Sequence, residues 1–215
     1  MSETMFLIFE LIGTVAFAAS GAITGIGKKM DILGVATLGI VTAVGGGVIR
    51  DLILGITPPA TFSNPIYAII ALIVSVIIFI PAVHRFLFKN KKVYDFIMLL
   101  MDSAGLGIFT VVGIQTAMHK MQSPGIFLLI FVGMVTGIGG GVLRDVMLRE
   151  IPFVLKKRIY ALASIAGGTV YYHLHSADID RTRAIVIAVL VTFVIRVLAT
   201  IFRLDLPKVK LKETK

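Results

Sequence analysis

The residues best placed to do chemistry are ionisable side chains set beside runs of glycine. Gly45, Gly46 and Gly47 are followed by Arg50 and Asp51, and Gly139, Gly140 and Gly141 by Arg144 and Asp145. About a dozen apolar residues precede each group, so these charges sit inside hydrophobic stretches, where an unpartnered ion costs several kcal/mol. Three consecutive glycines weaken a helix by roughly 1 kcal/mol each relative to alanine. A softened backbone beside buried charge can hold or pass an ion. It makes no bond-breaking machinery, since no nucleophile elbow, phosphate loop or paired catalytic carboxylates accompany it, and the chain reads as a non-enzyme with no cofactor.

The elements around these groups must be membrane helices. Of the 215 residues, 57% are hydrophobic and 15% charged, and the mean hydropathy is +0.98. The apolar residues form long runs, and about 20 such residues cross a bilayer core. Seven spans are expected: Met5–Gly27, Ile32–Leu54, Pro65–Val83, Asp95–Met118, Pro124–Leu148, Ile159–His173 and Arg183–Phe202. The first is not a cleaved signal peptide, because Ser2, Glu3 and Thr4 bring no positive charge. The absence of cysteine removes disulfide and thiol chemistry.

With the N-terminus outside, fifteen Lys and Arg residues fall on inner segments and three on outer ones. That is a positive-inside pattern for a cell (inner) membrane protein with a cytoplasmic C-terminus. It also explains the net charge of +9 without nucleic acid: the basic tail from Arg203 to Lys215 lies against anionic lipid of the inner leaflet.

The two glycine motifs lie 94 residues apart, and the match continues outward. Gly39, Thr42, Leu54 and Pro58 pair with Gly133, Thr136, Leu148 and Pro152, and Ile66-Tyr67-Ala68 with Ile159-Tyr160-Ala161. At an offset of 92, Phe17, Gly21, Thr24 and Lys28 pair with Phe109, Gly113, Thr116 and Lys120. The fold class is therefore all-α membrane protein, one domain of two three-helix repeats (about 5–85 and 95–175) plus a seventh helix at 183–202. An odd number of spans inverts the second repeat relative to the first, an arrangement common in transport proteins.

Small residues at intervals of four (Gly39, Ala43, Gly47; Gly133, Gly137, Gly141) allow close helix packing. Three glycines in a row predict more, a kink or short unwound turn with free carbonyls facing a hydrated path. Arg50 and Asp51 are adjacent and so are expected to be poor mutual partners. Matching depths instead pair Glu10 with Arg50 and Asp102 with Arg144, each at one mouth of the path. Arg196 in the last span is read as snorkelling inward or meeting another subunit. No histidine has metal-ligand spacing, so no fixed metal is expected beyond a permeant potassium ion near the glycine turns.

Two copies of Gly-Gly-Gly-Val-x-Arg-Asp on the second and fifth spans, with Phe17-Ala18-Ala19-Ser20-Gly21 and the Asp102, Gly105, Gly107 pattern, resemble the trimeric intracellular cation (TRIC) channel family. The prokaryotic branch is also classed as a glycine-transporter-type membrane family. The resemblance implies a homotrimer with an hourglass pore in each protomer, kinked at Gly45–Gly47 and Gly139–Gly141 and passing chiefly potassium. Arg50, Asp51, Arg144 and Asp145 would lie near that path. The rival reading is a carrier of glycine or a similar small zwitterion, with the glycine-turn amides holding the carboxylate and Asp102 the ammonium. A non-transporting scaffold or lipid-binding trimer is the third.

Overall fold

The computed structural model describes residues 3–156 and 159–204. Most of the tail, with Lys208, Lys210, Lys212 and Lys215, lies outside the described residues, as do Lys157 and Arg158. The described residues are helices joined by short turns: α1 (Glu3–Gly27), α2 (Ile32–Ile53), α3 (Ala60–Ser63), α4 (Ile66–Phe79), α5 (Pro81–Phe88), α6 (Lys91–Lys120), α7 (Ile126–Met147), α8 (Phe153–Lys156), α9 (Ile159–Ser176) and α10 (Arg181–Ile201). Five of them, α1, α2, α6, α7 and α10, are long and apolar enough to cross a membrane. The protein is a multi-pass helical membrane protein.

Turn chemistry sets the boundaries. The Asp31 carboxylate accepts the Gly34 amide at 2.8 Å and starts α2. Asn90 starts α6 in the same way through the Lys92 amide, and Asp180 starts α10 through that of Arg183. The expected third span, Pro65–Val83, is not one helix. It breaks at Ile80, which is extended (φ −57°, ψ 130°) because Pro81 follows; Pro81 lacks an amide hydrogen and disfavours helical backbone before it.

Helix packing follows the duplication. α1 lies against α2, and both lie against α4; in the second unit α6 lies against α7, and both lie against α9. α2 meets α7 at the centre, α1 meets α6 beside it, and α10 packs on α6 and α9. The contacts at the α2–α7 crossing are reciprocal. A Cβ on Gly46 would overlap the Thr136 carbonyl, and a Cβ on Gly140 the Thr42 carbonyl, its repeat mate. Apolar hydration gives helices no drive to associate in lipid, so this close backbone contact carries much of the packing.

Threonines in the spans keep their hydroxyls satisfied within their own helix. Thr42 donates to the Leu38 carbonyl at 2.6 Å, and Thr136 to that of Val132 at 2.7 Å. The outward surface of α1, α4 and α10 is apolar, with Ile8, Ile12, Ile69, Ile73, Leu190 and Val194 exposed.

Both triple-glycine segments are α-helical throughout. The unwound turn expected from sequence is absent, and the glycine carbonyls stay within continuous helices. The tightness of the α2–α7 crossing is the physical reason. Missing side chains let the two backbones touch, and that packing holds the helices together through residues of low helix propensity.

Candidate ion pathway

The three glycines of each motif face different neighbours. A Cβ on Gly45 would meet Leu143 Cδ1 at 2.5 Å, and one on Gly46 would strike α7 backbone. At Gly47 nothing lies nearer than the Arg50 guanidinium, at 3.8 Å. In the second unit, a Cβ on Gly141 would sit 3.5 Å from the Tyr160 hydroxyl, 3.8 Å from Arg144 Nη2 and 3.9 Å from Asp102 Oδ1. The first two glycines serve the crossing, and the third borders a polar site.

Each polar site begins with an arginine–aspartate unit. Arg50 Nε donates to Asp51 Oδ1 at 2.8 Å, and Arg144 Nε donates to Asp145 Oδ1 at 2.9 Å. The expectation that these neighbours make poor partners is overturned. The long arginine arm curls back along its own helix, and the aspartate has a fixed place to receive it. Asp51 Oδ2 accepts the Ala60 amide at the start of α3, and Asp145 Oδ2 accepts the Phe153 amide at the start of α8. A carboxylate at a helix C-terminus is unfavourable alone. The arginine and the next helix's free amide offset that penalty.

Beyond these units the two sites differ. Arg144 Nη1 donates to Ser20 Oγ at 2.6 Å and lies 3.3 Å from Asp102 Oδ1, so the expected Asp102–Arg144 pair is formed. The expected Glu10–Arg50 ion pair is not. Glu10 Oε2 instead accepts the Tyr67 hydroxyl at 2.5 Å, while Arg50 is engaged by Asp51 through both Nε and Nη2. Arg196 neither snorkels nor faces outward: it is buried, with Nη2 3.6 Å from Asp102 Oδ2 and its guanidinium 4.5 Å from the centre of the Tyr160 ring.

These groups line two cavities. One, of about 580 Å³, is bordered by Thr24, Asp95, Asp102, Arg144, Asp145 and Arg196, with Lys28 and Glu150 ion-paired at its wall. The other, of about 100 Å³, is bordered by Glu10, Thr14, Gly47, Arg50, Tyr67 and Phe109. Along α1 the polar positions Glu10, Thr14, Ser20 and Thr24 run from the small cavity to the large one, interrupted by Phe17. Phe17 stacks on Phe109 with centroids 5.3 Å apart. Sequence reasoning missed this stack, together with Tyr67, Tyr160 and Ser20. The signal was present, because Phe17/Phe109 and Tyr67/Tyr160 are matched positions of the repeat.

Fold and sites together define a helical membrane protein with duplicated polar centres buried between its halves. The family model described as glycine transporter matches residues 7–82 and 99–176, one segment in each repeat. The chain belongs to this family. A solved structure reported for the basis of conductance through TRIC cation channels is 36% identical, with a TM-score of 0.83 over 96% of this chain and 98% of that one. The TRIC trimeric intracellular cation channel orthologue from Rhodobacter sphaeroides is 31% identical, with a TM-score of 0.82 over 94% of this chain and all (100%) of that one. The UPF0126 inner membrane protein YadS of Escherichia coli is 33% identical over 207 residues, covering 95% of this chain and 96% of its own.

Proposed function

We propose that the protein is a monovalent cation channel carrying chiefly potassium, with one path through each protomer of a homotrimer. The observation that carries this reading is the pair of polar cavities, each lined by a repeat-mate carboxylate and arginine (Glu10 and Arg50; Asp102 and Arg144), with Phe17, stacked on Phe109, falling between their α1 linings Thr14 and Thr24. A stack of two rings between hydrated chambers blocks ions by excluding water, as hydrophobic constrictions do. The likeness to solved TRIC cation channels over nearly the whole chain supports the same reading.

On this reading α4 and α5 together form the third of seven spans, and the repeats are inverted about an axis through the α2–α7 crossing. The excess of basic residues on one side makes the small cavity the outer vestibule and the large one the inner. With intact helices at the glycines, free backbone carbonyls do not line the passage. A cation instead meets the Glu10 carboxylate, the Thr14 hydroxyl and water, a lining that selects by charge more than by dehydration. On this reading the glycine segments are where α2 and α7 bend as the path opens. The tail and the exposed helix faces meet membrane lipid.

Purified protein in planar bilayers under a KCl gradient tests this. Unitary current steps reversing near the potassium equilibrium potential are expected. Saturable counterflow of labelled glycine without steps would establish the zwitterion carrier in its place, and neither signal would leave a scaffold.

A further inference from the structure

The helix α10 stands outside the duplicated units, so a side chain that it places in one site has no counterpart in the other. Arg196 is that side chain. It is 2% exposed, it borders the large cavity, and its Nε has no hydrogen-bond partner among the described residues. Its Nη2 lies 3.6 Å from Asp102 Oδ2, while Arg144 approaches the other carboxylate oxygen at 3.3 Å. The repeat mate Glu10 takes only the Tyr67 hydroxyl and makes no ion pair among the described residues.

The charge balance therefore differs around the two repeat-mate carboxylates, Glu10 and Asp102. Around the small cavity, Glu10 and Asp51 face one guanidinium, that of Arg50. Around Asp102, the carboxylates of Asp102 and Asp145 face two, those of Arg144 and Arg196. Asp95, Lys28 and Glu150 line the same cavity, where Lys28 and Glu150 pair with each other. In a site screened from bulk water, one added guanidinium near a carboxylate removes most of that carboxylate's attraction for a passing cation.

We propose that Arg196 is a selectivity-determining residue, a fixed counter-charge that occupies Asp102 and makes the large-cavity half of the path the barrier to cations. This rests on the channel reading. Arg196 coordinates no ion; it sets how much of the Asp102 charge a permeating ion meets. The two halves then conduct unequally, and current through the wild-type protein rectifies.

Reversal potential and rectification, recorded in bilayers under a KCl gradient, test the assignment. Arg196→Gln is expected to raise the potassium-to-chloride permeability ratio several-fold and reduce rectification. Asp102→Asn is expected to lower that ratio, Arg196→Lys to keep it, and the double variant to return it towards wild type, because both charges are then gone. A purely structural Arg196 would make both single substitutions lower current and thermal stability together, with no opposed shift in selectivity. Unchanged selectivity in a folded Arg196→Gln protein overturns the proposal. Should that variant not fold, unchanged selectivity in Asp102→Asn or a shifted ratio in the double variant overturns it equally. A wild-type protein that passes no current refutes the channel reading itself, a distinct outcome.

Discussion

Phe17 and Phe109 stack at 5.3 Å between centroids, with their planes 26° apart. They are matched positions of the internal repeat, contributed by α1 and α6, and each leans on the glycine beside the other. A Cβ on Gly105 would overlap the Phe17 ring, and one on Gly13 would come to 3.1 Å from that of Phe109. Of the polar positions on α1, Glu10 and Thr14 lie on one side of this stack and Ser20 and Thr24 on the other. On the proposed path the rings are the closed point.

Replacing Phe109 with serine should therefore wet the junction between the cavities. Single-channel recording is expected to show a higher open probability than wild type, with the sign of selectivity unchanged. Phe17→Ala removes packing as well, and by analogy with large-to-small core substitutions it costs about 3–5 kcal/mol of stability. Lower open probability in Phe109→Ser would remove the rings from the gate.

The glycine triplets divide by position. Gly46→Ala and Gly140→Ala place a methyl group on carbonyl oxygens across the α2–α7 crossing. Each should lower the thermal midpoint of the detergent-solubilised protein, with overpacking costing about 1–3 kcal/mol or more. Gly47→Ala and Gly141→Ala meet nothing closer than 3.8 and 3.5 Å respectively, so they should leave that midpoint nearly unchanged while altering current. Thermal unfolding followed by fluorescence separates the two classes.

The fold was largely legible, and the reasons are local. Apolar run length and paired motifs reveal helices and duplication because both are written in residue type and spacing. The break at Ile80–Pro81 was also readable, since a proline in mid-span ends a helix, but hydropathy averages over it. The site was legible in part. Asp102–Arg144 followed from depth, whereas Glu10–Arg50 failed because depth says nothing of competing partners: Asp51 takes the arginine and Tyr67 takes the glutamate. The glycine triplets were over-read as unwound, since propensity ignores what close backbone contact restores. Arg196 was out of reach, because nothing in the sequence gives the rotation of α10 against α6.

Asp51 and Asp145 each hold an arginine and the first amide of a short helix. Substituting either with asparagine leaves a buried guanidinium short of a counter-charge, a loss of about 3–5 kcal/mol for buried pairs. Both variants should unfold at clearly lower temperature than Glu10→Gln, whose carboxylate holds no ion pair among the described residues. Equal midpoints would contradict the structural role given to the two aspartates.

Glu10→Gln should instead act on flux. Removing the carboxylate that Arg50 does not neutralise lowers the local cation concentration in the small cavity. Unitary potassium current is expected to fall, with the larger loss at low ionic strength, and potassium titration of conductance reads this directly. A loss independent of salt would point to a steric rather than an electrostatic role.

The chain contains no cysteine, so a single introduced thiol reports unambiguously on access. Thr14→Cys places it on the small cavity and Thr24→Cys on the large one. Treating each variant in a bilayer with a membrane-impermeant, cationic thiol reagent from one side at a time tests the path through the protomer. The account predicts that the reagent blocks current at Thr14→Cys only from the outer side and at Thr24→Cys only from the inner side. Current that survives treatment of both variants from both sides, or block of both from the same side, would contradict a passage joining these two cavities.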